Sequence, residues 1–367
     1  MTTSNAIMES CFVYIELPQT VETVVCGRLE RERLSSGDYV GRFIYGRSYK
    51  ARRDAVAIDP VHLPLLDEQF ETFDLNGIFG ALRDAGPDAW GRRVIEHALG
   101  NLDIGEIEYL LNSSHDRAGA LSFGLNEVPP APRRDFNNTL QLGDLLKAAA
   151  ELESLPFGAP MSPLLQQFVK TGTSMGGARP KNVVEDEDGL WLAKFPSKND
   201  RWNNAAVEAG MLSLASQCDI RTPPFRIERV GDASVLLIKR FDRNKTASSE
   251  TQYYRSRMVS ALTVLGGDEL ANRERWSYLD LSDELKRWSA EPAHDRHELF
   301  RRMVLNALVT NNDDHPRNHA RVRPSAARLD IDDSINHQLL PRSRSKQNRI
   351  DEINAVAWLS RARCHTT

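Results

Sequence analysis

The sequence predicts an α+β fold of two lobes, β-rich at its start and helical at its end. Three observations carry that expectation. Short segments rich in Val, Ile, Tyr and Phe, separated by Gly and Pro, fill residues 11 to 65, the pattern of an antiparallel sheet. A glycine-rich loop followed by two strand-like segments and an amphipathic helix occupies residues 171 to 218. Beyond about residue 250 the spacing of Leu, Ala, Trp and Met is mostly helical.

Taken in order, "CFVYIEL", "TVVCGRLE", "YVGRFIYG" and "DAVAIDP" read as strands. "IFGALRDAGPDAWGRRVIEHAL" carries apolar residues at helical spacing around Gly86-Pro87, so it reads as two helical pieces joined by a turn. "EVPPAPRRD", Glu127 to Asp135, has linker composition, and the short helix "LQLGDLLKAAAEL" follows it. "GTSMGGARPKNVVEDEDGLWLAKFPS" reads as a glycine-rich loop, a strand, a turn at Glu185 to Gly189 and a second strand ending in Lys194. "NNAAVEAGMLSLASQC" is an amphipathic helix with Glu208 in its early part, and "RIERVGDASVLLIKRFD" adds two more strands.

Composition narrows the function classes. The chain has 367 residues, 41 % hydrophobic and 27 % charged, which is ordinary globular composition and enough for about two domains. A net charge of −4 gives no support to a nucleic-acid or membrane-surface protein. The charge is uneven: residues 321 to 367 hold nine Lys/Arg against five Asp/Glu, a net of +4 that leaves −8 for residues 1 to 320. Cys11, Cys26, Cys218 and Cys364 are far apart and form no CxxC, so neither a zinc knuckle nor a disulfide framework is expected, and a reducing cytoplasm is the simple reading. "MTTSNAIMES" lacks the cationic start and apolar core of a signal peptide. No run approaches the 18 or so apolar residues of a membrane span, so no membrane partner is expected.

The stretch "LVTNNDDHPRNHARV" crowds carboxylates, imidazoles and amides behind an apolar helix. Leu299, Met303, Val304, Ala307 and Leu308 give that helix its spacing, and Pro316 stops it from continuing. Asp313, His315 and Asn318 therefore lie on irregular backbone. Asp313 and Asn318 are five apart, as are the Asp and Asn of the protein-kinase pattern H-R-D-x-x-x-x-N. There the aspartate orients the substrate hydroxyl and the asparagine holds magnesium, which suits a reaction catalysed mostly by positioning and charge neutralisation. Read alone, the stretch fits equally well a polar turn that ends a helix. A zinc site from His315 and His319 is disfavoured, since Pro316 denies them a shared helical face.

Two further features decide between these readings. "GTSMGGARPK" offers Gly172, Gly176 and Gly177, whose backbone can approach a phosphate closely, beside Ser174, Arg179 and Lys181. Lys194 ends an apolar strand, and the helix behind it carries Glu208, reproducing the lysine and glutamate pair that holds the α- and β-phosphates in kinases. Each feature has an ordinary explanation when isolated, as a flexible loop or a snorkelling lysine. Together, and in this order along the chain, they point to a two-lobed kinase-like fold.

With those motifs in place, the chain resembles the HipA family of bacterial toxin serine/threonine kinases over roughly residues 11 to 320. "GRFIYGRSY" and "AIDPVHLPL" are similar to the family's N-terminal sheet region, and "GPDAWGRRVIE" and "DRAGALSFG" to the segments after it. "SMGGARPK" resembles its phosphate loop, "LAKFP" its ATP lysine, "IKRFDR" its hinge and "NNDDHPRN" its catalytic loop. The resemblance implies ATP and Mg2+, with Asp313 as catalytic aspartate, His315 near the phosphates and Asn318 as a magnesium ligand. It implies ATP contacts from Gly176, Gly177, Lys181, Lys194 and Glu208, with adenine met by the main chain of Lys239, Arg240 and Phe241. Ser174 matches the serine that such kinases autophosphorylate as an off-switch. The implied partners are a HipB-like helix-turn-helix antitoxin, DNA mainly through that antitoxin, and a protein substrate, for which glutamyl-tRNA synthetase in the family's best-known member offers a candidate class.

The resemblance divides the chain into a β-rich N-terminal subdomain at 1–130, an ATP-binding lobe at 131–248 and a helical catalytic lobe at 249–367. It weakens after Ala320. The second metal-ligating aspartate expected there has Asp333 as its nearest candidate, beside Asp330 and Asp332, without the surrounding aromatic-Asp pattern. The basic, Ser-rich "PRSRSKQNR" has disordered composition. The expectation is a truncation or frameshift just after Ala320, leaving the helical lobe incomplete. Two functions compete on this reading: a toxin kinase that phosphorylates a protein serine, and a catalytically impaired remnant that binds its antitoxin and acts in operon repression. A kinase acting on a small molecule is a distant third.

Overall fold

A computed structural model describes residues 8–323 except 115, 131–136, 139–140, 172–176, 178, 247–248, 268–275 and 312. Ser174, Gly176 and Asp333 therefore lie outside the described residues.

The expected N-terminal sheet forms, with one strand exchanged. β1 (Met8–Glu16), β2 (Thr23–Arg33) and β3 (Tyr39–Tyr45) pair as consecutive antiparallel strands, and helix α1 (Arg47–Lys50) follows. Alternation along β1 sends Cys11, Val13 and Ile15 into a core shared with Leu29 and Phe43. "DAVAIDP" has the composition of a strand but makes only an isolated bridge, Asp59 to Leu63. Its apolar residues are buried all the same, because two buried tyrosines supply the partners that a neighbouring strand would. The Tyr49 hydroxyl accepts the Val56 N–H at 3.0 Å and the Tyr45 hydroxyl accepts the Ile58 N–H at 2.8 Å. The edge strand is instead β4 (Gln69–Thr72), too polar to read as one, and the sheet order is β4-β3-β2-β1-β5.

Helices α2 (Gly80–Asp84), α3 (Ala89–Leu99) and α4 (Glu106–Asn112) precede β5 (Leu121–Gly124). The turn at Gly86-Pro87 separates α2 from α3 as the sequence predicts.

The second sheet has order β6-β7-β8-β10-β9, from β6 (Asn137–Asn138), β7 (Lys181–Asp186), β8 (Gly189–Lys194), β9 (Phe225–Val230) and β10 (Ala233–Lys239). Helices α5 (Leu142–Ser154) and α6 (Pro163–Thr171) cover one face, burying Leu152 and Phe168 against Val184, Trp191 and Leu237. Helix α7 (Asn204–Gln217) covers the other, where Leu212 meets Leu236 and Ile238. Apolar residues on both faces explain why β8 and β10 read as nearly continuous hydrophobic runs.

Past this sheet the helical expectation needs correction. β11 (Arg243–Thr246) and β12 (Ser249–Arg255) form a hairpin, and β13 (Arg257–Ser260) leads directly into α8 (Ala261–Val264). In "TQYYRSRMVS" the buried Tyr253, Ser256, Arg257, Val259 and Ser260 keep no single period, so pairing rather than local pattern makes these strands. Helices α9 (Tyr278–Trp288) and α10 (Pro292–Leu308) complete the helical part, and β14 (Ala320–Arg323) returns to pair with β13, Ser260 opposite Ala320. No helix among the described residues is long and apolar enough to cross a membrane.

Candidate active site

The strand register places the lysines. Lys194, at the end of β8, lies opposite Lys181 on β7 and Leu236 on β10, so both lysines stand on the face that α7 covers. Asn203 caps α7 by accepting the Ala206 N–H at 3.0 Å, which fixes where the helix starts over that face. One turn on, Glu208 forms an ion pair with the Lys194 ammonium, so the structure brings together the two residues that the sequence coupled only by order.

Gly177 is the described glycine of the phosphate-loop motif. Its φ of +96° favours glycine, and a Cβ there would come within 2.9 Å of the Lys181 Nζ. Its N–H donates to the Asp88 carboxylate at 2.6 Å, and its carbonyl accepts the Trp90 N–H at 3.2 Å. Burial alone would raise the Asp88 carboxyl, but the Arg317 and Arg83 guanidiniums and the Gly177 amide outweigh it and hold it at about 2.

The catalytic-loop motif is a closed ring. α10 ends in Thr310 with φ of +53°, and the Asn311 N–H returns to the Asn306 carbonyl at 2.8 Å. The Asn318 side-chain amide donates to the Asp313 carbonyl at 2.7 Å, so the five-residue spacing is the span of a ring that Asn318 shuts. Asp314, which the sequence left without a role, anchors the ring from beneath. Its carboxylate accepts the Tyr278 hydroxyl and the Asn306 amide, the latter at 2.8 Å, and meets the His319 Nε2 at 3.0 Å. These bonds outweigh burial and hold the Asp314 carboxyl below the usual carboxylate range. His315 faces Trp276, ring centroids 6.5 Å apart, and His319 faces Tyr278 at 6.0 Å. Among the described residues no group of three or more His, Cys, Asp or Glu could hold a metal ion. Asn318, buried and held through its nitrogen, still presents an amide oxygen, the ligand type Mg2+ takes when substrate phosphates supply the remainder.

The hinge motif has two of its main-chain N–H groups engaged within the fold. The Lys239 and Arg240 N–H groups donate to the carbonyls of Pro224 at 2.8 Å and Leu190 at 2.9 Å. Lys239 pairs with Trp191, which puts its side chain on the sheet face opposite Lys194. The Arg240 guanidinium is buried and bound to Asp116 at 2.6 Å and Asp242 at 2.8 Å. Arg243 bonds Asp242 at 2.7 Å, and the Gly119 N–H reaches the same carboxylate at 2.9 Å. "DRAGALSFG" and "IKRFDR" thus close on each other as one buried ion cluster between the two sheets. Phe241 is half-buried beside it.

Residues 173–330 match the HipA-like C-terminal domain. The match runs past Ala320, where the motifs of the sequence give out. The HipA of Shewanella oneidensis MR-1, solved as a toxin–antitoxin complex with HipB and operator DNA, aligns with 85 % of this chain and 72 % of its own at 17 % identity and a TM-score of 0.58. The HipA fold therefore extends into the N-terminal region as well. The Helicobacter pylori proinflammatory kinase CtkA aligns with 42 % of this chain and 50 % of its own at 18 % identity, with a TM-score of 0.32. No curated protein matches the chain.

Proposed function

We propose that this HipA-like chain is a serine/threonine protein kinase that transfers the γ-phosphate of ATP to a protein serine. The observation that carries the reading is the Lys194–Glu208 ion pair on the α7 face of the second sheet. In this reading Lys194 holds the α- and β-phosphates, and Glu208 keeps its ammonium in place. Asp313 orients the serine hydroxyl and takes its proton as the γ-phosphoryl group leaves ADP. Asn318 holds Mg2+ through its amide oxygen, with Asp333 as the second candidate ligand; the ion when bound neutralises phosphate charge. Gly176, Gly177 and Lys181 border the phosphates, and Ser174 is the site of self-phosphorylation. The S. oneidensis structure, in which HipA is bound to HipB and operator DNA, supports a HipB-like antitoxin as partner, with DNA reached through it. An aminoacyl-tRNA synthetase is the protein substrate class we favour, and the cytoplasm the compartment.

The test is transfer of labelled phosphate from Mg-ATP to the chain itself or to a synthetase. The wild type should transfer it, and Asp313→Asn should lose about 10²- to 10⁴-fold in rate. Equal transfer by both would overturn the role of Asp313 and the kinase reading with it. A second reading, antitoxin binding without phosphate transfer, gains support from a family match that ends at residue 330, before Asp333. It predicts complex formation with the antitoxin and no turnover of ATP.

A further inference from the structure

Asp88 occupies the first boundary position of α3, where an aspartate ordinarily accepts a hydrogen bond from the second or third amide of its own helix. It makes no such bond. One carboxylate oxygen takes the Gly177 N–H at 2.6 Å, the other pairs with the Arg317 guanidinium, and Arg83 Nη1 stands 4.0 Å away. The first turn of the same helix adds the Trp90 N–H, which donates to the Gly177 carbonyl at 3.2 Å. Gly177 is thereby held through both of its main-chain polar groups. Arg317, inside the single turn Pro316–Asn318, is held by the same carboxylate. A carboxylate has acceptor sites enough for both partners, and charge-assisted bonds are the strong ones.

We infer that Asp88 is a positioning residue, a latch that ties the glycine-rich loop to the catalytic loop so that the two order and loosen together. A helix cap diverted from its own helix to two loops at once has no other evident use. The coupling is reciprocal, so whatever steadies the loop around Gly177 also steadies the ring closed by Asn318. The consequence for phosphate transfer rests on the kinase reading; the latch itself does not.

The experiment is amide hydrogen exchange on the full chain, comparing wild type with Asp88→Asn and with Arg317→Gln, which leaves Asp88 its contact to Gly177. Each variant should raise exchange about tenfold in residues 177–181 and 311–319 together, the scale of losing one charged hydrogen bond. Residues 8–33 in the N-terminal sheet should exchange as in wild type. Loosening of only one of the two segments, or of neither, overturns the latch, and so does equal loosening of the N-terminal sheet. With Mg-ATP, Asp88→Asn should raise KM for ATP and lower kcat together. If the wild type proves inert toward ATP the kinase reading fails, while the exchange result still decides the latch.

Discussion

Asp242 and Asp88 are both carboxylates drawn to two arginines, yet the first, buried, joins two sheets and the second, half-buried, joins two loops. Asp242 is fully enclosed, and its arginine partners, Arg240 and Arg243, lie within two residues of it in the chain. Its remaining contact, the Gly119 N–H, completes a cluster that extended strands hold on either side. Asp88 has partners 89 and 229 residues away, on backbone that no strand or long helix braces. The difference teaches that the same ion pair serves as mortar or as a hinge pin according to what carries its partners. Where rigid elements carry them, the pair fixes the fold; where loops carry them, it sets how far a site stays assembled.

The largest effect should come from breaking the mortar. Asp242→Ala leaves the buried Arg240 and Arg243 with Asp116 as the one carboxylate they still share, and about 3–5 kcal/mol of unfolding free energy should be lost in urea titration. Asp88→Asn keeps its shape and loses only charge, so its global loss should be smaller, about 1–3 kcal/mol. Equal losses would erase the distinction.

Acid sharpens the same contrast. A carboxyl depressed in the folded state adds stability above its unfolded pKa, near 3.9, and loses it as pH falls through the folded value. For Asp88 the window runs from about 4 down to about 2. Asp242, held lower by Arg240 and Arg243 against its burial, should persist further into acid. Wild-type urea midpoints should therefore fall through that window, and Asp88→Asn should flatten the fall.

The smallest effect belongs to the anchor beneath the ring that Asn318 closes. Tyr278→Phe removes one of the hydrogen bonds to Asp314 while His319 and Asn306 remain, at a cost of about 1 kcal/mol by thermal unfolding. A larger loss would make the hydroxyl the principal support of the ring.

Much of the fold was legible because it depends on local period. Val, Ile, Tyr and Phe between Gly and Pro announced β1 to β3, the turn at Glu185 to Gly189 announced β7 and β8, and helical spacing announced α3, α5, α7 and α10, although in α10 Val304 and Leu308 prove exposed. The candidate site was legible where its residues are near neighbours in sequence: Asp313 to Asn318 is one ring, and Lys194 to Glu208 is a strand end and the helix after it. Tertiary structure decided the rest. "DAVAIDP" lost its strand to two tyrosine hydroxyls, residues 249 to 260 became strands by pairing with a hairpin partner and with residues 320 to 323, and Arg240 was committed to Asp116. Neither Asp88 nor Asp314 takes a role from its place in the sequence, and only packing shows what each holds. The physical reason is that hydrophobic periodicity is a property of neighbours in the chain. The partner of a buried charge is chosen by whatever the finished fold brings within hydrogen-bonding distance.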